Sequence, residues 1–506
     1  MRQYFGTVAM STLLALCAGC ALGPDYQTPQ IDTPDQWQQS TAAQLSTAAA
    51  DDAQWWQSFN DETLNTVIER ARNQNLSLQI AGLRVLEARS ILGIAEGSRY
   101  PQLQQLNASV VDVQISENAA NISLADQKFE EASLSLDVAW EADFWGRFRR
   151  SIESAEAALE SDMANYADIL VLFTAETAQT YILIRLLEER IALAVANEVI
   201  QTRAFEIATV NFENGATTEL DVAEASTILG DTRAQIPILG AELRKALNAL
   251  AVLLGEVPGA LDALIGQPTG IPTAPPTVTV GIPAELMRRR PDVIAAERQL
   301  AAQSAQIGVA TTDLYPRFSL VGSVGFQSSD SDITAIGSSE ISDLFDSESS
   351  TGFLGPFVSW NILNYGRIKN NIRIQDVRFQ QLLFNYQNTV LNALAESNNA
   401  IVSYLAAQQQ AEFLTFSANA AIRAVDLSLL QYQEGTTDFN RVLAALQASI
   451  QQQDRLARSR GSIASNLVFL YRALGGGWQN YSGDYVNDDV KDQMLERTKY
   501  WRGIIE

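Results

Sequence analysis

Two residues carry a nucleophile that needs no imidazole to activate it: Cys17 and Cys20, near the amino terminus. They follow Arg2 and a short apolar stretch containing Val8, Ala9, Met10, Leu13, Leu14 and Leu16, and the small pair Ala18-Gly19 separates them. That order is an export signal ending at a cleavage site. The body of the chain has no further cysteine, so neither a disulfide framework nor a thiolate metal site can form there. Histidine is absent altogether, which removes the commonest metal ligand and general base. No Gly-rich phosphate loop is present either. The residue chemistry argues against catalysis, and no cofactor, metal site or enzymatic activity is expected.

Ala18-Gly19-Cys20 resembles the bacterial lipoprotein cleavage box, with Cys17 where Leu is usual. Cys20 is the expected lipidation site, because Leu16 directly before Cys17 is too large for the cleavage pocket that pattern implies. A plain signal peptide with a coincidental cysteine is the alternative. Residues 1–19 are then the signal peptide and 20–60 a lipid-anchored extended segment. The net charge of −24 argues against nucleic acid, since neutralising phosphates needs clustered Lys and Arg. It suits solubility, or a lumen that attracts cations. Past the signal no run of 18 apolar, uncharged residues occurs, so no transmembrane helix is expected.

The elements that carry this chemistry come in two copies. Trp140, Gly146, Arg147, Gly215 and Gly255 recur 220 residues on as Trp360, Gly366, Arg367, Gly435 and Gly475, and Tyr100-Pro101 recurs 215 residues on as Tyr315-Pro316. A near-constant offset over such length marks a duplicated unit. Residues 61–282 form the first repeat: a helix, a β-hairpin over 102–140, a long helical hairpin over 147–254 and a linker over 255–282. Residues 283–475 form the second: a helix, a β-hairpin over 317–361 and a helical hairpin over 367–474. Residues 476–506 are a separate C-terminal segment.

Each β-hairpin shows period two. Leu134, Leu136, Val138 and Trp140 alternate with Ser133, Ser135, Asp137 and Ala139; Phe318, Leu320, Gly322, Val324 and Phe326 alternate with Arg317, Ser319, Val321, Ser323 and Gln327; and 353–361 is the return strand. One apolar and one polar face suit an outer-membrane barrel, although soluble sandwich strands look alike. Four strands cannot close, because membrane barrels start at eight and an open edge in lipid costs several kcal/mol per unpaired group. Strands that span a membrane therefore require an oligomer. The polar connections at 115–130 and 328–351 suit the long exterior loops of such barrels.

Between Gly146 and Gly215, and between Gly366 and Gly435, neither Gly nor Pro interrupts the chain. A single helix of that length runs about 100 Å. It ends at Asn214-Gly215-Ala216-Thr217-Thr218 or Glu434-Gly435-Thr436-Thr437-Asp438, where Gly suits the helix C-terminus and Thr or Asp caps the next helix. Pro237 is expected to kink the first return helix.

Cys20 to Tyr26, Asn248-Ala249-Leu250-Ala251 to Gly255, and above all Arg289-Arg290-Pro291-Asp292-Val293 with Ala296-Glu297, resemble the TolC-like outer-membrane efflux protein family in its lipoprotein branch, from Cys20 to about Gly475. The resemblance implies a membrane α+β fold: a trimer sharing a twelve-stranded antiparallel transmembrane β-barrel, four strands from each chain, continued by a periplasmic α-helical barrel of long coiled helices. It places the C-terminal segment in an equatorial position. Implied partners are the outer-membrane lipid, a periplasmic adaptor (membrane fusion protein) and an inner-membrane pump of the resistance-nodulation-division type; no nucleic acid is implied. Adaptor docking falls on the helix tips at Gly215, Thr217, Thr218, Gly435, Thr436 and Thr437. The family's periplasmic gate often has an acidic ring, yet Ala444 stands where its Asp is usual. Asp221, Glu224 and Asp438 are the acidic candidates, with Asn440 one turn before Ala444; helix capping and solvated surface are the competing reading for the acids. The expected function is a passive conduit exporting drugs or other small molecules in a tripartite efflux system. The exit duct of a type I protein secretion system and a non-channel lipoprotein stalk are the alternatives.

Overall fold

The computed structural model describes residues 21–48, 53–116, 118, 127–275, 277–333, 337–480 and 484–505. Cys17, Cys20 and the signal peptide lie outside the described residues. The chain divides into two compact units. One gathers the chain up to Pro29 with Glu87–Glu160 and Glu297–Phe384, and the other gathers Gln30–Leu86, Ser161–Ala296 and Asn385–Glu506.

The duplication is metrically regular. Helix α1 (Glu62–Gln74) precedes α2 (Leu76–Gly97); strands β1 (Leu103–Gln114) and β2 (Lys128–Glu141) follow, then α3 (Arg147–Glu213) and α4 (Glu219–Leu253). The second repeat runs α5 (Pro291–Thr312), β3 (Arg317–Ser329), β4 (Ser350–Ser359), α6 (Arg367–Gln433) and α7 (Phe439–Ala473). Helices α3 and α6 both have 67 residues, about 100 Å of rise. Their return helices α4 and α7 both have 35. Helix α4 is continuous through Pro237. The glycines that bound these segments, Gly146, Gly215 and Gly255 with Gly366, Gly435 and Gly475, all have positive φ, between +69° and +85°. A side chain disfavours that conformation, which is why the repeat is punctuated by glycine.

In the first unit the four strands form one antiparallel sheet in the order β1-β2-β3-β4. Its register fixes the faces. Leu134, Leu136, Val138 and Trp140 stand opposite Phe326, Val324, Gly322 and Leu320, so the apolar sets of both hairpins share one face. Leu106 and Val110 extend that face on β1, and Leu354 and Val358 on β4. The other face carries Asn107, Ser109, Ser133, Ser135, Asp137, Ser319 and Ser323, interrupted by Phe353 and Phe357. Asn107 donates to Asp137 at 2.5 Å, and the hydroxyls of Ser109 and Ser133 lie 2.8 Å apart. Both indoles that end the hairpins are anchored alike: Trp140 Nε1 donates to the Arg99 carbonyl at 3.1 Å and Trp360 Nε1 to the Leu314 carbonyl at 3.0 Å. The return strand begins at Ser350 rather than residue 353, and the expected 328–351 loop contains short 3-10 turns at Ile341–Phe345 and Ser347–Ser349. Phe345 draws that segment back, packing edge-on against Phe326 at 5.9 Å.

The second unit holds the main core. Trp55, Trp56, Phe59, Leu64, Val67 and Ile68 pack with Tyr181, Ile184, Leu250, Ile401, Tyr404 and Tyr471. Trp55 stacks on Tyr471 at 5.2 Å. A parallel pair unforeseen in the sequence, Leu45–Ser46 beside Val278–Thr279, ties the N-terminal segment to the linker. Helices α3 and α6 each contain an 18-residue stretch apolar enough to cross a membrane by length and composition alone, a test that the core helix of a soluble protein also passes. In α3, 56% of that stretch is buried inside the chain and in α6 28%, so α6 exposes most of its apolar stretch.

Candidate functional site: the helix tips

Each tip is a two-hydrogen-bond turn built around its glycine. At the first, Gly215 N–H donates to the Phe212 carbonyl at 2.9 Å and Ala216 N–H to the Asn211 carbonyl at 2.8 Å. At the second, Gly435 N–H donates to Tyr432 and Thr436 N–H to Gln431, at 3.0 and 2.9 Å. This pairing consumes the helix's last carbonyls only if the residue after the helix is left-handed, which Gly215 (φ +73°) and Gly435 (φ +71°) supply. Both glycines, Thr218 and Thr436 are exposed, and Thr217 and Thr437 are half-buried. Thr436 donates its hydroxyl back to the Gln431 carbonyl at 3.0 Å. Thr218 and Asp438 occupy the capping positions of α4 and α7, and only Asp438 caps with its side chain, accepting from Arg441 N–H at 3.2 Å.

The two tips pack together through Ala204, Ala208, Ala225 and Ile228 of the first repeat and Val425, Tyr432, Phe439, Val442 and Leu446 of the second. Asp221 is drawn into that contact. Its carboxylate accepts from the Thr217 hydroxyl, and from the Tyr432 phenol at 3.0 Å. Burial pushes the Tyr432 phenol above its usual range, and the neighbouring Asp221 carboxylate adds to the effect. Sequence reasoning missed Tyr432. The available signal was a tyrosine three residues before Gly435 where the first repeat has Phe212.

Glu224 differs. It lines a groove of about 760 Å³ between α4 and α7, with Arg190, Asp231, Glu242, Asp454 and Arg458. Arg190 and Arg458 both donate to Asp454 at 2.7 Å, while a buried Glu224 oxygen, Oε2, accepts no hydrogen bond among the described residues. Its second-repeat counterpart Ala444 is exposed, as is Asn440.

The Arg-Arg-Pro-Asp motif lies apart from the tips and does structural work. Buried Arg290 forks onto Asp292 at 3.0 and 2.8 Å, reaches Glu396 at 2.9 Å and donates to the Ala473 carbonyl at 2.9 Å. Asp168 faces this cluster across a cavity of about 160 Å³ that Arg472 also lines. Burial, reinforced by Asp292, raises the Asp168 carboxyl to about 6.

Duplicated hairpins, a sheet with sorted faces and glycine-bounded helix tips recur in known proteins. The model of the outer membrane efflux protein family matches residues 67–256 and 282–476. The chain is 30% identical over 463 residues to nodulation protein T of Rhizobium leguminosarum bv. trifolii, covering 92% of this chain and 96% of that one. It is 28% identical over 468 residues to the pyoverdine export outer membrane protein OpmQ of Pseudomonas putida, covering 90% and 94%. The solved outer-membrane channel OprN superposes with a TM-score of 0.84 at 32% identity, over 91% of this chain and 100% of that one. The chain belongs to the outer membrane efflux protein family.

Proposed function

We propose that the chain is the outer-membrane duct of a tripartite efflux system, passing drugs or other small molecules passively to the exterior. Three copies share a twelve-stranded barrel, four strands each, and their long helices assemble into a periplasmic barrel whose tips receive an adaptor coupled to a resistance-nodulation-division pump. One observation carries this reading: a four-stranded antiparallel sheet with an apolar and a polar face, in which the outer edges of β1 and β4 have no strand partner among the described residues. In lipid such edges are tolerated only if the sheet closes, and three copies supply the smallest symmetric ring the family resemblance implies. Exposed Phe384, Phe413 and Phe416 on α6 suit contact with neighbouring helices. Similarity to a protein of pyoverdine export supports low-molecular-weight cargo over protein cargo. Lipid on Cys20 would add a second attachment to the barrel's own.

Mass measurement in mild detergent is expected to give three protomers, and the purified protein is expected to add discrete conductance steps to a planar bilayer. A stable folded monomer with full strand content, or a trimer without conductance, overturns the reading. Mass spectrometry of the mature amino terminus tests the anchor: a diacylglyceryl-modified Cys20 is expected, and a lipid-free start at another residue refutes it.

A further inference from the structure

We infer that Gly146, Arg150 and Gly308 form a receptor that holds the segment Ala21–Asp25 on the body of the chain. The inference rests on the proposed function only for the lipid that its test removes, since the receptor is built entirely from described residues of the first unit. The Arg150 side chain is 5% exposed and three of its hydrogen bonds go to the segment: Nε donates to the Leu22 carbonyl at 3.0 Å, and Nη2 to the Gly23 carbonyl at 3.5 Å and to Asp25 Oδ1 at 2.7 Å. Nη1 turns to Glu153 at 2.7 Å. The carbonyls of Leu22 and Gly23 face one side chain through a bend at Gly23, whose φ is +94°. Leu22 N–H donates to the Trp145 carbonyl at 3.1 Å.

The fit is backbone on backbone. A Cβ on Gly23 would lie 2.4 Å from Gly308 Cα, one on Gly308 would lie 2.7 Å from the Leu22 oxygen, and one on Gly146 would lie 2.8 Å from Ala21 Cα. Beyond the bend, Thr28 donates to Glu297 at 2.8 Å and Tyr26 at 3.4 Å, while Arg298 holds the same carboxylate at 2.6 Å.

The duplication supplies an internal control. Gly366 and Gly93 are the counterparts of Gly146 and Gly308, but Asn370 stands at the position of Arg150. Asn370 is exposed, and a Cβ on Gly93 would meet nothing within 4 Å. The frame offers the glycines twice and the arginine once, and the segment sits on the copy with the arginine. Its departure would exchange three hydrogen bonds from the guanidinium for bonds to water, leaving Glu153 as the remaining partner in this set. None of these contacts involves lipid, so docking is expected to persist without it.

The test uses the full chain in detergent and follows chymotrypsin cleavage after Tyr26, which reports the population in which the segment has left its site. Cys20→Ser is expected to cleave as slowly as the unaltered protein. Arg150→Met is expected to cleave about tenfold faster or more, and Asp25→Asn several-fold faster, as the hydrogen bond keeps its geometry but loses the charge of its acceptor. Asp25 has an 89% exposed side chain, so that change leaves the fold intact even if Arg150→Met does not. Arg150→Lys should behave like the methionine variant, since an ammonium cannot fork onto carbonyls and carboxylate together. Equal cleavage in the unaltered protein and Asp25→Asn overturns the receptor, as does cleavage of Cys20→Ser at the Arg150→Met rate, which would mean that the lipid holds the segment. If the released peptide has no lipid while its protection still depends on Arg150 and Asp25, the anchor reading fails and the receptor stands.

Discussion

The first-repeat tip and the second-repeat tip have the same backbone and different chemistry. Both end in a left-handed glycine with the same two turn hydrogen bonds, between helices of the same 67 and 35 residues. Across the 220-residue offset, however, Phe212 becomes Tyr432, Asp221 becomes Arg441 and Glu224 becomes Ala444. Contact between the tips is consequently one-way: the Tyr432 phenol reaches Asp221, and Phe212 has no hydroxyl with which to reciprocate. Duplication preserved what the helices need to turn. It released the side chains to specialise, and an acidic residue on one tip faces a hydroxyl donor on the other.

The largest effect is expected from the shared part. In Gly435→Val or Gly215→Val a β-branched side chain must adopt positive φ, which costs at least about 1–2 kcal/mol at the turn. The variants should insert and trimerise normally, yet lose drug export in cells and crosslinking to an adaptor. If export persists while a change at Asp330 in the β3–β4 connection abolishes it, the tips are not the docking end. A change confined to stability, with export kept, should come from making the first repeat resemble the second at position 168, where the counterpart is Asn388. Asp168 binds its proton more tightly folded (about 6) than unfolded (3.8), so its favourable contribution is complete below the lower value and is lost as pH rises through the higher one. Asp168→Asn should therefore stabilise the protein above pH 6 by on the order of 2 kcal/mol, and not below pH 4. Denaturant midpoints at pH 4 and 8 check this; an equal shift at both rules out the titration. The smallest effect tests the one-way contact. Tyr432→Phe removes a hydrogen bond to a charged acceptor that keeps Thr217, and should cost about 1 kcal/mol. Phe212→Tyr should cost almost nothing, and equal losses in the two would show that the tips are not asymmetric.

Much of the architecture is written in local signals. Glycines at a fixed offset, two uninterrupted helical runs and period-two hairpins give the duplication, the helix boundaries and the sheet's faces, because each depends on backbone conformation or on residue spacing along one segment. Trp140 and Trp360 even keep the same hydrogen bond. The sequence by itself therefore determined the repeat, the hairpins, the tips as exposed turns and the family. It could not decide which polar residues meet, because that depends on pairs far apart in the chain. Tyr432 lies 211 residues from Asp221, Arg290 lies 106 from Glu396 and Arg150 lies 125 from Asp25. Only tertiary structure brought these charges to their partners, since a buried charge is tolerated where a counter-charge from another segment arrives, and no periodicity along the chain records that arrival.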